Sequence, residues 1–77
     1  MDIKEKLRTF LRRFFGGKRL EDDDNLFESG AVNSLFAMQL VVFVEREFGI
    51  AIQNDELDME NFKSIHAISE LVEAKTN

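Results

Sequence analysis

The apolar residues of the N-terminal segment recur every three or four positions, which is the spacing of one face of an α-helix. They are Ile3, Leu7, Phe10, Leu11 and Phe14. Asp2 stands before them and Glu5 three residues later, a pattern that predicts a capping box at the helix start. The pair Gly16-Gly17 predicts the helix end, because glycine adopts the left-handed conformation of a C-cap. We therefore expect a first helix over residues 3 to 15.

A long loop is predicted over residues 18 to 33, where no helical period is sustained. Its apolar residues favour packing against the helices, since water is a costly environment for them; they are Leu20, Leu26, Phe27 and Val32. The run Asp22-Asp23-Asp24-Asn25 is similar to the opening of a calcium loop. However, the sixth position is Phe27 instead of glycine, and the twelfth is Asn33 instead of glutamate. We reject calcium binding and interpret these acids as solvated.

A second helix is predicted from Ser34 to Phe48, because Gly49 follows where a C-cap is expected. Leu40, Val44 and Phe48 form a stripe that should face the core. Further apolar residues surround much of the remaining circumference: Leu35, Phe36, Met38, Val41, Val42 and Phe43. A helix that is apolar nearly all round is either central or faces a partner. Because the stripe already supplies the core, we expect Phe36 and Met38 to face a partner.

The rest of the chain predicts an extended link, a short helix and a last helix. Ile50 to Ile52 form the link, and a helix start follows at the polar residues 53 to 56. Leu57, Met59 and Phe62 indicate one or two helical turns, and Ser64 is the expected cap of the last helix. The predicted fold is an all-α four-helix bundle, with three main helices, a short third helix and a long loop between helices one and two. It forms a single domain over residues 1–77, too small for a deep enzyme active site.

Composition narrows the class of protein. Cysteine is absent, so disulfides and thiolate metal sites are excluded. No apolar run is long enough to span a bilayer, and the N-terminus has the character of a helix start instead of a secretory leader. We expect a soluble, cytoplasmic monomer that binds neither membrane nor metal.

Charge is divided unevenly along the chain. Residues 1 to 19 carry seven Lys/Arg and two acids, whereas residues 20 to 77 carry three Lys/Arg and thirteen acids. Most of the surface should therefore favour basic protein partners and repel nucleic acid. The basic residues of the first part are interpreted as a solvated helix face; they include Arg8, Arg12, Arg13, Lys18 and Arg19.

Ser34 is the candidate site for chemistry. At a helix N-terminus the first backbone N–H groups have no intrahelical partner, and the peptide dipoles add partial positive charge, so a phosphate group attached there is stabilised. The alternative interpretation is that Ser34 acts only as an N-cap, a position where serine is among the preferred residues.

Taken in order, these elements resemble the acyl carrier protein family over essentially the whole chain. The resemblance rests on the residues from Leu26 to Leu35, Gln39-Leu40-Val41 and Glu45-Arg46-Glu47-Phe48-Gly49-Ile50. In that family a short motif, usually Asp-Ser-Leu, opens the second helix, and its serine carries 4'-phosphopantetheine. The matching residues here are Asn33-Ser34-Leu35. The resemblance implies a non-catalytic carrier with 4'-phosphopantetheine on Ser34, whose added thiol holds an acyl or aminoacyl group as a thioester.

Departures from the family pattern bear on the cargo and the partners. Asn33 replaces the usual aspartate, and Phe36 and Gln39 stand where carriers of fatty acid synthesis tend to have acids, which weakens steering toward basic enzyme faces. The resemblance implies a phosphopantetheinyl transferase, a loading enzyme, tailoring enzymes and an acyltransferase or synthase as partners. We expect them to contact Asn33, Leu35, Phe36, Met38, Gln39, Val42, Glu45, Glu47, Asp55 and Glu56.

The pattern is most similar to discrete carriers of substituted malonyl extender units, such as methoxymalonyl, hydroxymalonyl or aminomalonyl, in polyketide or hybrid peptide assembly. A D-alanyl carrier, or another aminoacyl or fatty acyl carrier, is the alternative within the family. An unmodified helical interaction module is an alternative of a different class. A hydrolase using Ser34 and His66 is disfavoured because no orienting acid or oxyanion site is indicated, and His66 is expected at or near the surface.

Overall fold

The computed structural model describes residues 2–17, 20–28 and 34–76. These residues form four α-helices: α1 (Ile3–Arg12), α2 (Ser34–Phe48), α3 (Met59–Phe62) and α4 (Ile65–Thr76). A single turn of 3-10 helix, Asn54–Glu56, precedes α3 at the position where the sequence predicts a helix start. The expected all-α bundle with a short third helix is confirmed. No helix among the described residues is both long and apolar enough to cross a membrane.

Helix α1 begins as predicted and ends earlier. The Asp2 carboxylate accepts the N–H of Glu5 at 3.1 Å, which satisfies one of the donors that a helix start leaves unpaired. After Arg12 the next two N–H groups bond to carbonyls three residues back, so the chain tightens into a turn. Gly16 and Gly17 complete this turn with φ of +63° and +80°. The helix therefore stops at Arg12 instead of residue 15, because the tightening starts before the glycines.

One face of each main helix contributes to a single core. The predicted stripe of α2 is confirmed, since Leu40, Val44 and Phe48 are all buried. Loop residues Leu20 and Leu26 are buried with them, so this part of the loop folds back as expected, while Val32 lies outside the described residues. The other core residues are Leu7, Leu11, Phe36, Phe62, Ile65, Ile68 and Val72.

Helix α2 ends in a C-cap at Gly49, as the sequence predicts. Gly49 has φ of +64°, and the N–H of the next residue, Ile50, donates to the carbonyl of Glu45 at 3.2 Å. This six-to-one bond is that of a Schellman motif. Glu45 also accepts the N–H of Ile52 through its carboxylate at 2.7 Å. The extended link after α2 is thus fixed to the last turns of that helix.

The start of α4 is capped by Ser64, which confirms that prediction. Its Oγ accepts the N–H of Ala67 at 3.1 Å. The carbonyl of Lys63, just before the cap, accepts the N–H of Leu26 at 2.7 Å, and the carbonyl of Asp22 accepts the N–H of His66 at 2.9 Å. The loop from residue 20 to 28 therefore lies against the corner between α3 and α4.

The interpretation of the loop acids as solvated is wrong for Asp22. Its carboxylate bonds to the Lys4 ammonium at 3.0 Å and to the Arg8 guanidinium. The hydrogen bond from Lys4, with the positive charges of Lys4 and Arg8, lowers the pKa of Asp22. Arg8 also donates to the carbonyl of Leu20 at 3.1 Å. Arg8 is therefore part of the attachment of the loop to α1 and does not belong to a solvated basic face; Lys18 and Arg19 lie outside the described residues.

Candidate functional site

Ser34 is the first residue of α2, and its side chain is exposed. The first turn of this helix contains no acidic residue, so its own side chains do not oppose an anion there. The first backbone N–H groups of an α-helix have no intrahelical carbonyl partner, and the helix dipole places partial positive charge among them. A phosphodiester on Ser34 Oγ therefore fits this end of α2. Asn33, predicted to contact partner enzymes, lies outside the described residues.

Ser34 differs from the other serines that the structure describes. Ser64 and Ser69 are 5% and 2% exposed. The Ser64 hydroxyl accepts the N–H of Ala67, and the Ser69 hydroxyl donates to the carbonyl of His66 at 2.8 Å. Within the described chain, Ser34 thus offers the one accessible serine hydroxyl to a modifying enzyme.

An apolar strip runs along the outer face of α2 beside Ser34. Leu35, Met38 and Val42, which we call the α2 stripe, are 62%, 66% and 46% exposed. With the exposed amide of Gln39 they line a groove of about 660 Å³. The groove is also lined by Phe10, Phe43, Arg46 and Glu47. Met38 and Val42 are exposed, as contact with a partner requires, while the contact itself stays a prediction.

Phe36 is a core residue, and the expectation that it faces a partner is wrong. It is 4% exposed. Its ring lies 5.0 Å from that of Phe14 and 6.5 Å from that of Phe27, measured between centroids. The sequence contains the signal for this placement: Phe36 precedes Leu40 by four residues and so begins the core stripe one turn earlier than expected.

Two acids of α2 that were predicted to meet a partner are engaged within the chain. Glu45 holds the N–H of Ile52, as described above. Glu47 forms an ion pair with Lys6 of α1, with 3.0 Å between Oε2 and Nζ. Ile52 lies 7 residues from Glu45 and Lys6 lies 41 residues from Glu47, so the pattern within the helix does not reveal these contacts.

Glu56 is also engaged, whereas its neighbour Asp55 is exposed. Glu56 Oε1 lies 2.8 Å from the ammonium of Lys75 and accepts the N–H of Gln53 at 2.8 Å. These two hydrogen bonds, that from Lys75 first, lower the pKa of Glu56. Of these two acids, only Asp55 presents a carboxylate that has no ion pair within the described residues.

His66 lies at the surface, as expected. Its Nε2 is 2.5 Å from Oε1 of Glu70, one turn further along α4. This i, i+4 pair belongs to the outer face of α4, where the side chains of both residues are about half or more exposed. The described contacts of His66 therefore give it a partner on its own helix.

Comparisons with known proteins bear on the whole of this arrangement. A family model described as "Phosphopantetheine attachment site" matches residues 2–72. The D-alanyl carrier protein of Lactococcus lactis subsp. cremoris (strain MG1363) is 29% identical over 77 residues, covering 97% of this chain and 98% of its own length. That of Streptococcus suis (strain 05ZYH33) is 29% identical over 73 residues, covering 88% and 87%. The matched ranges cover most of the chain, and the family range includes Ser34.

Proposed function

Because the chain belongs to the phosphopantetheine attachment-site family, we propose that it is a D-alanyl carrier that holds D-alanine as a thioester on Ser34-linked 4'-phosphopantetheine. Domains of this family carry the 4'-phosphopantetheine group covalently on a serine and act as carriers, not as enzymes. When attached, the group supplies the thiol that this cysteine-free chain lacks. The single carrier domain is proposed to extend over residues 1–77.

The exposed hydroxyl of Ser34 is the observation that supports the attachment site. It stands at the start of a 15-residue helix whose first turn has no acid. The role of the chain's own residues is to present this hydroxyl and to stabilise the phosphate charge with the N–H groups of the first turn. Ser64 and Ser69 do not compete, since both are buried and hydrogen-bonded.

The cargo proposed here is based on the names of the similar proteins. The relatives from Lactococcus lactis and Streptococcus suis, which match over most of their length, are D-alanyl carrier proteins, and this favours D-alanine over a substituted malonyl extender unit. The extender-unit interpretation depended in part on Phe36 as an apolar contact beside the arm, and that ring is buried. A polyketide role, with its acyltransferase and tailoring enzymes, therefore becomes the second candidate.

The α2 stripe is proposed as the contact surface for the phosphopantetheinyl transferase and the loading enzyme. Its three side chains and Gln39 are exposed and lie within the first nine residues of α2, which begins at Ser34. An apolar strip of this kind, next to the reacting group, is typical of a protein contact surface. Asn33 and Asp55 remain proposed contacts. Glu45 and Glu56 are not included, because their carboxylates are bound within the chain. Glu47 lines the groove and pairs with Lys6 at the surface, so it remains a proposed contact.

Two successive mass measurements test the proposal. The protein is first incubated with coenzyme A, magnesium and a broad-specificity phosphopantetheinyl transferase, and its intact mass is expected to rise by one phosphopantetheine. Ser34→Ala should gain nothing, whereas Ser69→Ala, which removes a buried hydroxyl, should be modified like the parent. The modified protein is then offered ATP and D-alanine with a D-alanine-activating enzyme, and a hydroxylamine-sensitive D-alanyl mass is expected.

The outcomes separate the candidates. Failure of several transferases to modify the protein contradicts a carrier role and favours an unmodified interaction module, for which Ser34→Ala should bind partners as well as the parent does. Modification without D-alanyl loading, together with a substituted malonyl mass on protein purified from its native cells, contradicts the D-alanyl assignment and supports the extender-unit carrier.

A further inference from the structure

We propose that Phe36 is a positioning residue for Ser34: its ring, held by aromatic side chains from two other segments, fixes the first turn of α2 for phosphopantetheine transfer. The inference depends on the proposed function, because it concerns the reaction at Ser34. We call the four rings involved, those of Phe14, Phe15, Phe27 and Phe36, the aromatic clamp.

The aromatic clamp joins three separate parts of the chain. Phe14 and Phe15 belong to the turn that follows α1, Phe27 belongs to the loop, and Phe36 belongs to the first turn of α2. The Phe36 ring centroid lies 5.0, 6.0 and 6.5 Å from those of Phe14, Phe15 and Phe27. The interplanar angles are 76°, 89° and 76°. All three contacts are edge-to-face, the arrangement that aromatic pairs prefer.

The first turn of α2 depends on this contact more than the rest of the helix does. A helix start frays easily, because its N–H groups lack intrahelical partners. Ser34 and Leu35 are exposed and Ala37 is only partly buried. Phe36 is therefore the one fully packed side chain of the turn, and it lies two residues from Ser34.

The position of the hydroxyl matters because the transferase must align it with the phosphate of coenzyme A. Misplacement of a reacting group by about 1 Å costs on the order of 100-fold in rate. A clamp that holds the first turn in one place reduces the freedom that the transferase must remove. The effect should appear mainly in kcat, because Met38 and Val42 of the proposed docking surface lie beyond the first turn.

Phe48 provides a matched control for the loss of a buried ring. It occupies the same face of α2 as Phe36 and is 7% exposed. It also makes an edge-to-face contact, with Phe43 at 6.3 Å. However, it stands fourteen residues from Ser34, about 21 Å along the helix. Loss of core packing alone should therefore affect Phe36→Leu and Phe48→Leu to a similar extent.

The test compares the steady-state kinetics of phosphopantetheine transfer to the parent, Phe36→Leu and Phe48→Leu proteins, at a temperature where circular dichroism shows each one folded. Phe36→Leu is expected to lower kcat about tenfold with KM changed by less than about twofold. Phe48→Leu should leave both parameters within about twofold of the parent. Equal effects of the two substitutions, or an effect of Phe36→Leu confined to KM, would overturn the proposal.

A second variant covers the case in which Phe36→Leu does not fold. Phe27→Leu removes a half-buried ring of the clamp from outside α2 and is expected to lower kcat in the same direction by a smaller factor. An unchanged kcat for folded Phe27→Leu, where Phe36→Leu is unfolded, overturns the proposal. A parent protein that accepts no phosphopantetheine at all contradicts the proposed function itself, an outcome distinct from either of these.

Discussion

The Lys75 ammonium lies 2.8 Å from Oε1 and 3.0 Å from Oε2 of Glu56, so both carboxylate oxygens are held by one cation. Lys75 is in the last turn of α4, and Glu56 ends the 3-10 turn before α3. The pair therefore ties the C-terminal end of the bundle to the link that follows α2.

This pair predicts an acid-sensitive contribution to stability. The hydrogen bond from Lys75, followed by that from Gln53, holds the pKa of Glu56 below its ordinary value of 4.5. A lowered folded-state pKa means that the stabilisation is complete above 4.5 and is lost as the pH falls through the folded-state value. We expect the melting temperature of the parent to exceed that of Glu56→Gln near neutral pH, and the difference to shrink below pH 4.5.

Asp55→Asn is the matched control for this measurement, because it removes a neighbouring exposed carboxylate that has no ion pair within the described residues. Asp55→Asn should lower the melting temperature near neutral pH by less than Glu56→Gln does. If the difference in melting temperature between the parent and Glu56→Gln stayed constant through the acid range, the ion pair would not be the cause of that difference.

The attachment of the loop to α1 through Asp22 predicts a dependence on salt. Asp22 pairs with Lys4 and Arg8, and its side chain is 39% exposed, so added ions reach the pair. The Debye length falls from about 10 Å at 0.1 M salt to about 3 Å at 1 M. Asp22→Asn should lower the melting temperature at low salt, and most of this loss should disappear at about 1 M sodium chloride. The adjacent exposed carboxylate offers a control in Asp23→Asn, and an equal, salt-independent loss for both variants would argue against the prediction.

The C-cap of α2 predicts that replacing Gly49 by a residue with a side chain destabilises the protein, because of its backbone conformation. A Cβ added there meets no atom within 4 Å, so no steric contact with neighbours arises. The φ of +64° is unfavourable for a side chain, and the penalty for an L-residue is about 1–2 kcal/mol. We expect Gly49→Ala to lower the free energy of unfolding in urea by about this amount, and Gly49→Asn by less, since asparagine tolerates the left-handed region. An alanine variant as stable as the parent would contradict the assigned cap.

A charge placed in the α2 stripe is predicted to weaken phosphopantetheine transfer without destabilising the fold. Met38→Asp places a charge at a side chain that is 66% exposed, so the melting temperature should change little. If Met38 contacts the transferase, KM for the carrier should rise about tenfold or more, as for a central apolar contact. Met59→Asp, at a methionine that is 63% exposed at the start of α3, is the matched control. Similar rises in KM for both would show that docking is not confined to the stripe.

Periodicity and capping rules were sufficient to locate the helices, though not the end of α1, because these signals lie within a few residues of one another. Asp2, Ser64 and Gly49 act at the helix ends where the sequence places them. The contacts of Glu45, Glu47 and Glu56 were not predictable in this way, since their partners lie 7, 41 and 19 residues away. An acid on a helix has the same local pattern whether it meets solvent or a distant cation.

Phe36 shows a different limit of prediction from the sequence. As an apolar residue in place of a customary acid, it suggested a change of partner, yet its four-residue spacing from Leu40 placed it in the core. The departure from the family pattern reflects how this chain packs its helix start against Phe14 and Phe15. A substitution near a modified serine can therefore report on internal architecture, and it identifies a cargo only when its side chain is known to be exposed.

The uneven distribution of charge along the chain has a structural role, because cations of α1 form ion pairs with acids of later segments. Lys4 and Arg8, one turn apart, both reach Asp22, while Lys6 reaches Glu47 on α2. A slide of α1 by one turn, about 5.4 Å, would separate Lys6 from Glu47 and leave Asp22 with one of its two cations. Apolar side chains repeated every few residues tolerate such a slide better, because one leucine resembles the next. The ion pairs between the basic first segment and the acidic remainder thus favour one axial position of α1. Hydrophobic packing alone would permit several such positions.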